Sequence, residues 1–134
     1  MEKISKVILS NMCMVYEGDN ILVVNRCKSD WPGLTFPGGH VEENEKLEAS
    51  VIREMKEETN LDIYDPILCG TMEWDWGNNI RYIAFLYKTN RYQGKIISSS
   101  EGEVFWINKN EIDQYPLSTD FKDILEIIEK SFKK

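Results

Sequence analysis

Residues 39–61 read GHVEENEKLEASVIREMKEETNL and decide how the rest of the chain is interpreted. Between residues 46 and 59, apolar side chains recur every four positions: Leu47, Val51 and Met55, with Ile52 beside them. Residues four apart lie on the same face of an α-helix, so this spacing predicts a helix with one buried stripe. The paired glycines Gly38 and Gly39 come just before it, and they permit unusual backbone angles or the close approach of a ligand.

Three glutamates lie on one flank of this predicted helix. Glu57 and Glu58 follow Glu54 by three and four positions, which makes them neighbours on the helix surface. Like charges within one turn repel each other unless a positive group, such as Arg53 or a divalent cation, lies among them. Carboxylates at the margin of a core suit Mg²⁺, which takes its remaining ligands from water and substrate phosphates. The alternative interpretation is a solvated, glutamate-rich helix face.

Strands are predicted on both sides of this helix. They cover residues 6–16 and 21–25, joined as a β-hairpin through 17–20, then 61–76 and 79–88, joined through 77–78, and finally 103–107. A second amphipathic helix is predicted from about residue 117 to residue 132. Strands interleaved with two helices predict an α/β fold, in which a mixed sheet lies between helices in α/β/α layers. The length of 134 residues fits one domain, residues 1–134.

Charge and composition exclude several classes of protein. A formal net charge of -7 argues against binding to a nucleic-acid polymer, because phosphate neutralisation needs a basic surface. An acidic chain can still bind a phosphate compound when metal ions bridge the two. The cysteines form no CxxC pair, which suits a reducing cytoplasm. Apolar runs are too short for a membrane span.

The full spacing around the glutamates resembles a known motif. Five residues separate Gly39 from Glu45, and seven more separate Glu45 from the pair Arg53-Glu54. The pair Glu57-Glu58 and then Asn60 follow. This pattern resembles the Nudix box, in which Asn60 stands where the family has glycine. Asn is the residue that best tolerates the left-handed conformation of a helix C-cap after glycine, so the helix is expected to end there.

The resemblance implies roles for the matching residues. Glu54, Glu57 and Glu58 are expected to hold Mg²⁺, with Mn²⁺ able to substitute, and Gly39 to contribute backbone to the site. Arg53 is expected to orient the glutamates in catalysis. The metals would stabilise charge on a diphosphate and lower the pKa of the attacking water.

The proton of that water requires a general base, and the family places it either in the box or in a downstream loop. The resemblance therefore leaves two candidates, Glu57 and Glu101, and Glu101 is also included among the expected metal ligands. Glu103 is a close competitor. Glu101 precedes Gly102 and is freer to reach over the helix, whereas Glu103 adjoins the predicted strand.

Softer features favour the MutT-like branch of the family. These are FPGGHVE at 36–42 and EGEVFW at 101–106. They imply a small-molecule nucleotide substrate, with an oxidised purine nucleoside triphosphate such as 8-oxo-dGTP as the leading hypothesis. Candidate substrate-binding residues are Arg26, Lys28, Trp74, Trp76, Arg81, Tyr82 and Asp120. Each of these residues can also be interpreted as a core-packing aromatic side chain or a solvated surface charge. His40 is interpreted as a loop contact in preference to a catalytic residue.

Two other hypotheses stay open at this point. The substrate could be ADP-ribose or a dinucleoside polyphosphate, cleaved by the same chemistry. A Nudix-fold module that binds a nucleotide without cleaving it is the alternative from another functional class. Either a monomer or a homodimer is compatible with the sequence.

Overall fold

The computed structural model describes residues 3–27 and 31–131. The strands in this part of the chain are β1 (Lys6–Glu17), β2 (Asn20–Arg26), β3 (Gly33–Thr35), β4 (Gly38–His40), β5 (Asp62–Tyr64), β6 (Ile67–Gly77), β7 (Ile80–Thr89), β8 (Arg91–Gln93) and β9 (Gly102–Asn108). The α-helices are α1 (Leu47–Thr59) and α2 (Phe121–Lys130), and a 3₁₀ helix covers Lys109–Gln114.

Strand β1 is the centre of the main sheet. It runs parallel to β7, with Ser10 opposite Ala84, and antiparallel to both β2 and β4. β3 and β9 extend the sheet beyond β2, while β6 forms the edge beyond β7. The sheet is therefore mixed, as predicted. A separate two-stranded sheet pairs β5 with β8.

Each face of the sheet is covered by one helix. Along β1, Cys13 and Val15 pack with Val51 and Met55 of α1, whereas Met14 points the other way into the core formed with α2. Successive side chains of a strand point to opposite faces, so one apolar strand supplies both cores. The α/β/α layering is thus confirmed.

Helix α1 ends as the sequence predicts. Asn60 adopts the left-handed conformation, with φ at 69°, and its N–H donates to the carbonyl of Lys56 over 2.9 Å. Its side chain also donates to the carbonyl of Lys95 over 3.0 Å. Asn60 therefore fills the place of the motif's glycine and adds a contact that glycine cannot make.

Two predicted boundaries are wrong. The single strand expected over residues 61–76 is two strands, β5 and β6, because Asp65 has a positive φ of 51° and Pro66 follows it. The second helix begins at Phe121 instead of residue 117, because Asp120 lies in the left-handed region with φ at 66°. The predicted end of that helix, at residue 132, lies outside the described residues.

Strand β8 and the 3₁₀ helix were not predicted. The three residues of β8 pair with β5. This pairing depends on tertiary structure, so the periodicity of the sequence does not predict it. Within residues 3–27 and 31–131, neither helix has the length and apolar character required to cross a membrane.

Candidate functional site

Arg53 is the centre of a hydrogen-bonded cluster on α1. Its Nη1 donates to Glu54 Oε1 over 2.8 Å and to Glu57 Oε2 over 2.7 Å. Its Nε and Nη2 donate to the two carboxylate oxygens of Glu45, over 2.7 and 2.9 Å. Nη2 also donates to the carbonyl oxygen of His40 over 3.0 Å. One guanidinium thus connects the loop before α1 with two of the motif's carboxylates, and the orienting role of Arg53 in catalysis stays a prediction.

A second set of contacts fixes the glycine pair against α1. The N–H of Gly38 donates to Glu58 Oε2 over 3.0 Å, and the N–H of Gly39 donates to Asn11 Oδ1 over 3.2 Å. Asn11, which is buried in β1, donates in turn to Ser50 Oγ over 3.0 Å. Strand β4 is therefore tied to the central strand and to α1 at the same point.

Gly39 lies directly against the carboxylate of Glu54. A Cβ atom built on Gly39 would come within 2.2 Å of Glu54 Oε2, which is far inside van der Waals contact. Residue 39 has no room for a side chain while Glu54 keeps this position. This close approach of backbone to carboxylate is the reason for glycine at the start of the motif.

Hydrogen bonding and burial shift the pKa values of three glutamates of the cluster in different directions. The hydrogen bonds from Arg53 lower the pKa of Glu45 to about 2. Burial raises the pKa of Glu54, and it raises that of Glu58 to about 7, with the nearby charges of Glu101 and Glu54 adding to the effect. Burial and repulsion thus disfavour the ionised forms of Glu54 and Glu58. A cation bound beside these carboxylates would stabilise their ionised forms.

Two groups of residues line one cleft of about 610 Å³. The first group, which we call the charged end, contains the carboxylates of Glu54, Glu57 and Glu58 together with Gly38 and Gly39. The second group, which we call the aromatic end, contains Trp31, Trp74, Trp76, Tyr82 and His40. The cleft thus combines charged carboxylates with flat aromatic rings.

The aromatic side chains form a continuous series of ring contacts. Tyr82 stacks on Trp76, with ring centroids 4.7 Å apart and an angle of 24° between the planes. Trp74 meets Tyr82 edge to face at 5.8 Å, and Trp31 meets Trp74 in the same manner at 5.3 Å. We call these four residues the aromatic wall. Trp76 is 53 % exposed and so presents ring surface to the solvent.

Arg26 and Glu101 complete the charged end. Both line the cleft, and Arg26 Nη1 lies 3.8 Å from Glu101 Oε2. Glu103, in contrast, is exposed on β9, where it pairs in register with Asn25. The residues that the structure brings together therefore include the preferred loop glutamate, and the competing one is directed elsewhere.

Two candidate substrate residues lie outside the described lining of the cleft. Arg81 pairs with Glu73, its Nε donating to the carboxylate over 2.8 Å on the exposed side of β6 and β7. Asp120 accepts a hydrogen bond from the indole N–H of Trp74 over 2.7 Å, so it contacts the aromatic wall from behind. Lys28 lies outside the described residues.

The described residues contain no group of three His, Cys, Asp or Glu side chains already spaced to hold a metal ion. Arg53 lies between two of the expected ligands, and its Nη1 donates to both Glu54 and Glu57. The donor set nevertheless fits Mg²⁺, because it is made of carboxylate oxygens beside a backbone that lacks a Cβ atom. Each carboxylate has a second oxygen that Nη1 does not use.

Several residues of the site were not singled out from the sequence. Asn11, Trp31 and Thr35 all line the cleft, yet each belongs to a strand or loop that long-range pairing brings there. The contact between His40 and Tyr82, whose Nε2 and hydroxyl oxygen lie 3.1 Å apart, joins residues 42 positions apart. Only the position of His40 directly after the glycine pair could have indicated it.

Comparison with known proteins agrees with this geometry. Residues 9–128 match the NUDIX domain family. A Bacillus subtilis (strain 168) protein described as an uncharacterised Nudix hydrolase, YvcI, is 30 % identical over 123 residues, which cover 88 % of this chain and 77 % of that protein.

Solved structures show the same fold. A MutT NUDIX hydrolase from Burkholderia pseudomallei superposes with a TM-score of 0.81 at 21 % identity, covering 92 % of this chain and 98 % of that one. The NUDIX domain of Shewanella oneidensis NrtR, solved in complex with ADP ribose, gives a TM-score of 0.76 at 18 % identity, covering 98 % and 91 %. With the family match, the YvcI relationship and the intact carboxylate motif together, the chain belongs to the Nudix family and is a hydrolase of a nucleoside diphosphate-linked substrate.

Proposed function

We propose that this Nudix hydrolase converts a purine nucleoside triphosphate, with an oxidised purine such as 8-oxo-dGTP as the leading candidate, to the monophosphate and pyrophosphate. The observation that carries the proposal is the composition of the cleft. Carboxylates and Arg26 line the same cleft as the aromatic wall. A nucleotide likewise combines charged phosphates with a planar base.

The charged end would hold Mg²⁺ through Glu54, Glu57 and Glu58, with backbone from Gly39 and with Glu101 nearby. When bound, Mg²⁺ neutralises charge on the diphosphate and acidifies a water molecule. Arg53 maintains the direction of the glutamates through its bonds to Glu54 and Glu57.

A carboxylate in the cleft must accept the proton of the attacking water. Glu101 lines the cleft near Glu58 of α1 and is the preferred base, with Glu57 the alternative. Arg26, which lies 3.8 Å from Glu101, can contact a substrate phosphate and the loop glutamate from one position.

The aromatic end would hold the base. An aromatic face can stack on any base. Replacing such a ring with alanine costs about 1–3 kcal/mol of binding free energy per base. Trp76 and Tyr82 offer the face, while Asp120 fixes the indole of Trp74 behind them. Arg81 contacts Glu73 instead, so we assign it to the surface around the cleft.

Hydrolysis of ADP-ribose is the second candidate. The observation in its favour is that the NrtR domain, which shares the fold of this chain, was solved in complex with ADP ribose. ADP-ribose also combines a purine with a diphosphate, and the same end of the cleft would cleave it. Binding without cleavage is disfavoured because Glu54, Glu57 and Glu58 are all present and face one cleft.

A substrate panel tests the proposal. The chain would be incubated with Mg²⁺ and, separately, 8-oxo-dGTP, dGTP, ADP-ribose and a dinucleoside tetraphosphate, with products identified by chromatography and pyrophosphate measured directly. We expect the highest kcat/KM for 8-oxo-dGTP, with pyrophosphate released and no orthophosphate. Faster cleavage of ADP-ribose to AMP and ribose 5-phosphate would select the second candidate, and binding of all four without cleavage would favour the non-catalytic module.

A further inference from the structure

His40 links the Arg53–glutamate cluster to the aromatic wall. It is the last residue of β4 and follows Gly39, and its carbonyl oxygen accepts the hydrogen bond from Arg53 Nη2 over 3.0 Å. Its imidazole Nε2 lies 3.1 Å from the hydroxyl oxygen of Tyr82. The backbone of this residue therefore supports the carboxylate cluster, while its side chain contacts the aromatic wall.

The contact between His40 and Tyr82 crosses a strand. His40 is in register with Ser10 of β1, and Tyr82 of β7 is in register with Ile8 on the other side of the same strand. The two rings meet above β1 edge to face, with centroids 5.8 Å apart. Because β1 separates their backbones, only the side chains join β4 to β7 at this position.

Tyr82 in turn contacts exposed aromatic surface. It stacks on Trp76, which is more than half exposed on the edge strand β6, and it meets Trp74 edge to face. A stacking surface binds a planar ligand best when its planes are fixed before binding, since each side chain immobilised on binding costs entropy. The hydroxyl of Tyr82 is the polar atom through which its ring can be fixed from β4.

We propose that His40 is a positioning residue for the base end of the cleft. It holds Tyr82 through its Nε2, and Tyr82 holds Trp76 in the plane that receives a nucleobase. This inference rests on the proposed function in one respect, namely that the ligand is a nucleotide whose base meets the aromatic wall. It assigns His40 no contact with the reacting phosphorus.

Binding measurements on single-contact variants test the proposal without requiring turnover. Isothermal titration calorimetry in Mg²⁺ would compare the Kd for dGMP with that for inorganic pyrophosphate, which has no base. His40→Ala removes the imidazole, Tyr82→Phe removes only the hydroxyl, and His40→Gln retains a polar group near the position of Nε2. Tyr64→Phe is the matched control, because the Tyr64 hydroxyl contacts Gln93 in the separate β5–β8 sheet over 3.3 Å.

We expect His40→Ala and Tyr82→Phe each to weaken dGMP binding by roughly threefold to tenfold, the range for one lost hydrogen bond. The double variant should bind dGMP with the same Kd as the single variant of lower affinity, because both substitutions remove the same contact. His40→Gln should recover most of the affinity, Tyr64→Phe should leave it unchanged, and pyrophosphate binding should be unaffected throughout.

Several results would overturn the role of His40. These are an unchanged Kd for dGMP in His40→Ala, an equal weakening of pyrophosphate binding, losses that multiply in the double variant, or no dGMP binding by the unmodified chain. Failure of the proposed function is distinguishable, because a chain that binds dGMP with the expected pattern yet cleaves no triphosphate contradicts the substrate assignment alone.

Discussion

Gly39 and Glu54 are packed so closely that residue 39 cannot carry a side chain while Glu54 keeps its place. The gap between a Cβ atom on Gly39 and Glu54 Oε2 would be 2.2 Å. Because the clash is with the end of a flexible side chain, an alanine here is expected to displace the carboxylate and leave the backbone intact. The relationship joins the first residue of the motif to one of its expected metal ligands.

Gly39→Ala is therefore predicted to lower activity more than stability. We expect kcat/KM to fall by about 10-fold to 100-fold, the scale of a misplaced catalytic group, with a small change in melting temperature. Gly18→Ala is the matched control, because Gly18 has a positive φ of 56° and open space around it, away from the cleft. It should lose about 1 kcal/mol of stability and no activity. Full activity in Gly39→Ala would show that Glu54 need not occupy its observed position.

Mg²⁺ is predicted to raise the melting temperature of the chain. Binding to the folded state stabilises it by mass action, by about 2.7 kcal/mol at a concentration of 100 Kd. Glu57→Gln should reduce this gain, whereas Glu48→Gln, an exposed change in the first turn of α1, should preserve it. EDTA should abolish activity, and Mg²⁺ or Mn²⁺ should restore it. A melting temperature that stays constant across millimolar Mg²⁺ would favour a solvated helix face.

The two loop glutamates are predicted to differ in their effect on turnover. Glu101 lines the cleft and Glu103 is exposed on β9, so we expect only the first to reach a water molecule near α1. Glu101→Gln should lower kcat by about 10²-fold or more, the usual scale for loss of acid–base catalysis, and Glu103→Gln should cost less. A larger loss in Glu103→Gln would contradict this assignment, and two harmless substitutions would transfer the role of base to Glu57.

How far the sequence predicts this site depends on how local each contact is. Glu54, Glu57 and Glu58 lie within one helix, so their spacing alone brings them together. The stop at Asn60 was equally local, because the left-handed C-cap requires a residue type and no partner.

Contacts that depend on strand register could not be derived in the same way. Asn11 reaches Gly39 because β1 pairs with β4 in one particular alignment, and no periodicity in either segment specifies it. The break at Asp65 and Pro66 was visible as residue types, yet an apolar pattern on both sides made one long strand the simpler interpretation. Asp120 delayed the start of the second helix through its own left-handed backbone conformation, which the apolar stripe does not report.

Thr35 offers a test of stability inside the cleft. Its hydroxyl oxygen is buried and, among the described residues, has no hydrogen-bond partner. Thr35→Val removes this hydroxyl at nearly constant volume, so we expect the free energy of unfolding to rise by about 1 kcal/mol. Thr35→Ser keeps the hydroxyl and should show no such gain. If urea denaturation instead finds Thr35→Val less stable, an ordered water satisfies the oxygen and belongs to the site.

Turnover by Glu57→Gln at saturating Mg²⁺ measures most directly whether the carboxylates of α1 perform the chemistry. The substitution removes one charge and almost no volume, and Glu57 is more than half exposed, so the fold should remain intact by circular dichroism. We predict that kcat for the best nucleotide substrate falls by about 10²-fold or more, while Glu48→Gln retains full activity. Near-normal turnover by a folded Glu57→Gln would contradict the assignment of these glutamates as the catalytic metal site.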